Sequence, residues 1–469
     1  MRHFIAFPVL LGLLAWNLTR HVAPDPYTYD EADYMYAASL GFFANYTDIP
    51  TLPITGFIRT GLASGRDPHQ RQALSERIRG ANDVVFYRHW HGPLYLYCLV
   101  PISRLGWNER SVRTAMLVIP VLSLAAMYFG ILWLIPGSRG TWMALMSAVL
   151  LLSSNSVIHS TELAPHPLFA LFSICCLVLL AKTLATGQRC YWYASVILAG
   201  LAFCTLEIAF IVLLTLVVCG YMERVRLEAG WSFVARSLAL FVATVLVVWP
   251  AAIFKLSFIK AYLFMAYLAL FRKAAWGGEG FLEVWRARIL DSPLEWTAIV
   301  AALVIYLRMR SKLDQRLASP ALLYALLMVI ATIRVVSSVA RYSLLFTPAL
   351  DLFAAVVLIS AVMSWPRRAA YGALFALAGS LAIAEYRILA KHDAQDPRPP
   401  AVLTYIRTNG LARKTLLVPQ DDLPMIHYYF PEAHLHGYSS ELSDSSSESG
   451  FAPDAILYSG FPLHVQRAH

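Results

Sequence analysis

Apolar residues come in long runs separated by short polar turns that carry Arg, and this alternation is the strongest signal in the chain. The first run, MRHFIAFPVLLGLLAWNLTR, has a positive start and an apolar core. No small-x-small cleavage site follows, so it predicts a signal-anchor and first transmembrane helix. Apolar runs at about 112–135, 142–160 and 167–185 predict further spans. The run over 191–222 is too long for one helix and is interrupted by Glu207. Two short helices broken near 205–207 keep Arg224, Arg226 and Arg236 on the cytoplasmic side, as the positive-inside rule requires. Runs at about 234–254, 296–307, 320–334 and 343–363, and a last one ending near Leu389, complete about eleven spans, with the amino end inside and the carboxyl end outside.

Polar stretches between the runs set the rest of the architecture. Residues 22–110 form a first outer loop too large for a mere connection, and such loops carry function. The loop opens with a short acidic helix and closes on a second helix that begins at Pro93, with aromatics along the membrane surface. A second outer loop near 257–296 starts with an aromatic, amphipathic interfacial helix. After the stiff DPRPP linker, AVLTYIRTNG predicts a helix ended by Gly410, TLLVP a strand, DDLPMIHYYFP a helix and DAILYS a strand. The expected fold is an all-α polytopic membrane protein over residues 1–390, with juxtamembrane helices in the first outer loop and a small α/β outer domain over 391–469.

Composition agrees with that class. Of 469 residues, 58% are hydrophobic and 14% charged, with a mean hydropathy of +0.57, outside the range of soluble domains. The net charge of +9 lies in short clusters between apolar runs, so it belongs to topology and lipid head groups and implies no nucleic acid. Six cysteines fall in or beside apolar segments without a CxxC pair, which predicts buried free thiols.

The candidate chemistry centres on YTYDEADYMYAA, just after the first span. Asp30 is placed to act as an N-cap, with Asp33 three residues on in a near capping box and Glu31 between them. Helix capping alone explains three acids in a first turn; a carboxylate at the membrane face is also placed to take a proton from a bound hydroxyl. Glu162, His159 and His166 cluster at the outer end of the third span, either as a functional group or as residues in interfacial water. Glu207 at its helix break favours a structural role, satisfying freed backbone N–H groups. Arg341 and Tyr342 sit where a span meets the outer face; Arg suits a bidentate grip on phosphate, or snorkels to the interface. Arg272 and Lys273 end the interfacial helix with the same two readings. His89 with His91, and His434 with His436, alternate along extended segments but lack further metal ligands. Phosphate loops, nucleophile elbows and HExxH motifs are absent.

Taken in order, these pieces resemble the polytopic GT-C glycosyltransferases of the protein O-mannosyltransferase and aminoarabinose transferase type. YDEADYMYA resembles their Asp-Glu motif, HGPLYLYCLVPISRLGWNERSVR their Pro-Leu-Tyr helix, and APHPLFALFS their short-loop motif. GLAFCTLEIAF is similar to their broken segment and RYSLLFTPALDLFAA to their late Arg-Tyr span. The resemblance implies sugar transfer from a polyprenyl-phosphate donor to a lipid, polysaccharide or protein acceptor at the outer face of the plasma membrane. It implies that Asp30 is the base, with Glu31 beside it, and that Arg341 binds the carrier phosphate, helped by Arg272 or Lys273. Tyr342, Glu162, His166 and His91 complete the expected substrate contacts. No obligatory cofactor is implied, and a divalent metal is not required. Two positions depart from the pattern: His166 stands where many members have Asp, and Glu207 where many have Lys. A transporter or lipid flippase, or an inactive scaffold, is the alternative.

Overall fold

The computed structural model describes residues 2–24, 26–27, 29–43, 91–253, 281–309, 315–332, 340–366, 372, 379–380, 401–419, 422–438, 455–457 and 465–467. The chain divides into two compact units. One is drawn from Met1–Val22, Arg113–Pro250 and Phe264–Gln395, the other from Ala23–Val112, Ala251–Leu263 and Asp396–His469.

The first unit is helical. It contains α1 (Arg2–His21), and α4 (Glu109–Met116), which begins in the other unit, leads into it. Then come α5 (Val118–Leu134), α6 (Ser138–Ser153), the short α7 (Asn155–Ile158) with a 3-10 turn at His159–Thr161, and α8 (His166–Thr186). After them follow α9 (Arg189–Phe203), α10 (Phe210–Met222) and α11 (Trp231–Val248). The unit continues with α12 (Phe281–Asp291), α13 (Pro293–Met309), α14 (Gln315–Thr332), a 3-10 turn at Ala340–Leu345, and α15 (Thr347–Val362). The core runs along α15, which is buried on nearly every side and packs against α6, α13 and α14. A helix apolar all round is stable only when enclosed, and TPALDLFAAVVLISAV has just that pattern, broken by Asp351 alone. Helix α8 packs between α5 and α9. Where α9 meets α11, Gly200 brings the backbones together: a Cβ there would sit 2.9 Å from the Thr244 side chain.

By length and composition, four described helices are able to cross a membrane, and six if each bent pair counts as one span. The expectation of about eleven spans also counts shorter helices and segments outside the described residues. The long run over 191–222 is broken where expected: α9 ends at Phe203, a 3-10 turn covers Glu207–Ala209, and α10 follows. The 142–160 run is not the straight span its hydropathy predicts. It bends by 65° between Ser153 and Asn155, because SSNS offers hydroxyl and amide groups that compete with helical hydrogen bonding. The 296–307 run is likewise the second arm of a pair bent by 102° at Ser292. All six cysteines are free; Cys176, Cys204 and Cys219 are buried, whereas Cys190 is exposed, which corrects the expectation for that residue.

The second unit holds α2 (Tyr29–Ser39), α3 (Leu94–Ser103), α16 (Ala401–Thr408) and α17 (Leu423–Tyr429). Its four strands are β1 (Thr415–Pro419), β2 (His434–Tyr438), β3 (Ala455–Leu457) and β4 (Val465–Arg467), in the order β2-β1-β3-β4. Strand β1 pairs in parallel with β2 and β3, and β4 runs antiparallel to β3. Leu416 and Val418 of β1 are fully buried, the alternation of a half-covered strand. Gly410, at φ +66°, closes α16 in the left-handed conformation that glycine adopts without strain. Helix α2 packs against both α3 and α17.

Candidate functional site

In the first unit, residues far apart in sequence meet around the bend after α6. The Arg341 guanidinium Nη1 lies 3.6 Å from Glu162 Oε2, and the other Glu162 oxygen lies 2.8 Å from His159 Nδ1. The Arg341 side chain is 14% exposed and Glu162 39%, so the cation is held from the inner side and its counter-ion from the wetter one. Next to it, His166 packs edge-on against Tyr342, with centroids 4.8 Å apart. His166 is 2% exposed, so it does not lie in interfacial water; the ring is enclosed by the Arg341–Tyr342 turn. Four of the expected substrate contacts, Arg341, Tyr342, Glu162 and His166, therefore belong to one cluster. His159 joins them through Glu162.

A small polar cleft opens between the bend and the α12–α13 junction. Ser154, Ser156, His159, Arg288, Ser292 and Glu295 are among its lining residues. Hydroxyls knit its wall: Ser154 Oγ is 2.6 Å from Ser156 Oγ, Ser156 Oγ is 2.8 Å from Thr347 Oγ1, and Thr347 donates to the Ser343 carbonyl at 2.9 Å. The Asn155 backbone N–H donates to Ser292 Oγ at 3.0 Å, tying the bend to the start of α13. Sequence reasoning missed the acids behind this wall. Glu295 is 2% exposed and Asp351 fully buried, and their carboxyl groups are in hydrogen-bond contact. Ser154 and Ser292 also bond to Glu295. The available signal was a lone acid inside an apolar helix, Asp351, which in a membrane segment requires a partner.

In the second unit the acidic stretch forms α2. The helix begins at Tyr29, so Asp30 and Glu31 lie inside its first turn and Asp30 is not the N-cap that its spacing predicts. Their charge still favours the positive end of the helix dipole. Asp30 is half-buried, while Glu31 and Asp33 are 7% and 1% exposed. Aromatic rings enclose the helix: Tyr34 meets His91 at 6.0 Å and Tyr95 at 5.6 Å, and Tyr36 meets His427 edge-on at 4.4 Å. His91, expected as a substrate contact, thus borders the acidic helix through Tyr34.

Arg272 and Lys273 lie outside the described residues. Among the described residues, no three His, Cys, Asp or Glu side chains converge in an arrangement that would hold a metal ion.

No family model and no curated protein matches the sequence. Solved structures do match in fold. ArnT from Cupriavidus metallidurans bound to undecaprenyl phosphate superposes with a TM-score of 0.55 over 90% of this chain and 84% of that one, at 15% identity. The apo Archaeoglobus fulgidus oligosaccharyltransferase gives a TM-score of 0.54 at 12% identity, over 91% of this chain. This chain spans 64% of that oligosaccharyltransferase. Both are GT-C glycosyltransferases, and the fold described here is GT-C-like.

Proposed function

We propose that this GT-C-like membrane protein transfers a sugar from a polyprenyl-phosphate carrier to an acceptor hydroxyl or amine at the outer membrane face. The observation that carries the reading is the meeting of Arg341 and Tyr342 with Glu162 and His166. This places a mostly buried guanidinium in a fold shared with a protein crystallised on undecaprenyl phosphate. Arg341 holds the carrier phosphate and stabilises the negative charge that grows on it as the glycosidic C–O bond breaks. Asp30 takes the proton from the acceptor as its oxygen or nitrogen attacks the anomeric carbon, with inversion, and Glu31 keeps the local field negative. No metal is needed for charge balance, because the departing phosphate is met by the guanidinium, with Arg272 or Lys273 as further cations. The chain sits in the plasma membrane, amino end cytoplasmic and carboxyl end outside.

Purified protein in detergent, given radiolabelled polyprenyl-phosphate sugars and a membrane extract as acceptor, is expected to release and transfer the label. Asp30→Asn, folded and inserted as wild type, is expected to lose transfer by at least the ~10²-fold that a general base contributes. Near-normal turnover in that variant removes Asp30 from the mechanism. A second reading, a proton-coupled transporter, is favoured by one observation, the buried Glu295–Asp351 contact in apolar helices. It predicts substrate flux across proteoliposomes without hydrolysis of the donor.

A further inference from the structure

Helix α2 is held at its amino end by a residue far along the chain. Two residues before the helix, the Tyr27 N–H donates to Tyr429 Oη at 2.6 Å, across 402 positions of sequence. The same phenol donates its own proton to Glu109 Oε1 at 2.8 Å. Both capacities of the hydroxyl are therefore used, one as acceptor and one as donor. The rings reinforce the bonds: Tyr27, 2% exposed, meets Tyr428 edge-on at 5.5 Å, and Tyr428 meets Tyr429 at 5.0 Å. One turn beyond Asp33, Tyr36 rests against His427. Three consecutive residues of α17 thus grip α2 on both sides of its acidic turn. Burial and the bond to Glu109 push the Tyr429 hydroxyl far above the ordinary phenol range, so it keeps its proton at every pH at which the protein works.

We infer that Tyr429 is a positioning residue for Asp30: the Tyr27–Tyr429–Glu109 relay fixes the start of α2 and with it the orientation of the Asp30 carboxylate. The inference rests on the reading of Asp30 as the base. Its physical basis is the steep dependence of proton transfer on alignment, where a misplacement of about 1 Å costs up to ~10²-fold in rate. Tyr27 is two residues from the helix and three from Asp30. Slack at Tyr27 therefore passes directly into the first turn. The carboxyl-terminal segment is on this account part of the catalytic apparatus, because it supplies the phenol that holds Tyr27 at the start of the acidic turn.

The test uses the full-length protein and three variants. Tyr429→Phe keeps the ring and removes both hydrogen bonds; Glu109→Ala removes only the acceptor; Glu109→Gln keeps an acceptor for the phenol. Hydrogen exchange by mass spectrometry is read at residues 29–33, and transfer is measured as a pH–rate profile. Tyr429→Phe and Glu109→Ala are expected to exchange about tenfold faster there, with kcat lowered about tenfold, donor KM little changed and the acid limb of the profile displaced. Glu109→Gln is expected to restore slow exchange and most of kcat. If exchange rises while kcat and the acid limb stay at wild-type values, the relay is a fold contact only and the positioning role is overturned. Wild-type exchange in both disruptive variants overturns the relay itself. Failure of the underlying reading looks different: wild-type protein transfers nothing, or Asp30→Asn remains active.

Discussion

Asp351 and Glu295 make the most demanding energetic claim of the structure. Among the described residues, no N–H or O–H donor reaches either Asp351 oxygen or Glu295 Oε1, and the contact of Asp351 is with the Glu295 carboxyl itself. Two carboxyl groups form such a bond only with one proton between them. Ser292 Oγ accepts from the Asn155 N–H, and the Ser292 hydroxyl proton is donated to Glu295. Asp351→Leu removes the partner and leaves Glu295 buried with two serines, and is expected to cost about 3 kcal/mol, as in other broken buried pairs. Asp351→Asn supplies an amide N–H to Glu295 and is expected to cost below about 1 kcal/mol. Replacing both acids, Glu295→Met with Asp351→Leu, removes the polar demand altogether and is expected to fall within about 1 kcal/mol of wild type. Glu295→Met alone strands Asp351 and is likewise expected to cost about 3 kcal/mol, so the coupling in the cycle of wild type, Asp351→Leu, Glu295→Met and the double variant should exceed about 2 kcal/mol. Unfolding of the purified protein, followed by circular dichroism as SDS is titrated into mild detergent, gives the stability of each variant. Additive single costs in the double variant, or a harmless Asp351→Leu, would refute the shared bond.

On the proposed reading, a carrier phosphate would compete with Glu162 for Arg341, since the two side chains are 3.6 Å apart. Partial exposure limits that pair to about 1 kcal/mol, so Glu162→Gln is expected to tighten polyprenyl-phosphate binding about fivefold, measured by equilibrium titration. Arg341→Ala is expected to weaken the same binding about tenfold; unchanged affinity would return Arg341 to an interface role. At the α9–α11 crossing, Gly200→Ala places a methyl 2.9 Å from Thr244 and is expected to destabilise by about 1–3 kcal/mol in the same SDS titration.

The mostly helical, apolar architecture, the break at Glu207, and the helix and strand after Gly410 were legible because each is written in local pattern: run length, a lone polar residue, a glycine after a periodic stretch. The site was legible in parts. Arg341 and Glu162 were each singled out by an interfacial position, yet their pairing is tertiary and no local signal carries it. Strand β2 was read only as an extended segment carrying His434 and His436, because HLHGY alternates histidine with leucine and glycine, a pattern that becomes a strand once β1 lies beside it. Glu295 was hidden for another reason. An acid in the first turn of a helix is ordinary, and DSPLEW looks like a capped start.

Asp351 shows how much further the same residues reach. An ionisable group in the middle of TPALDLFAAVVLISAV is costly unless another polar group meets it, so the sequence demands a partner on a neighbouring helix without naming it. That partner must itself be anomalous: buried although polar, near a helix end, and flanked by hydroxyls able to satisfy its second oxygen. The 292–295 stretch meets all three conditions, with Ser292 beside Glu295 and Ser154 opposite. The bend at Ser154 and the bend at Ser292 each end a helix at a serine that bonds to Glu295. A straight α6 would carry Ser154 onward within a helical turn and remove its hydroxyl from Glu295. The two bends that hydropathy did not predict thus bring Ser154 and Ser292 beside the acid pair.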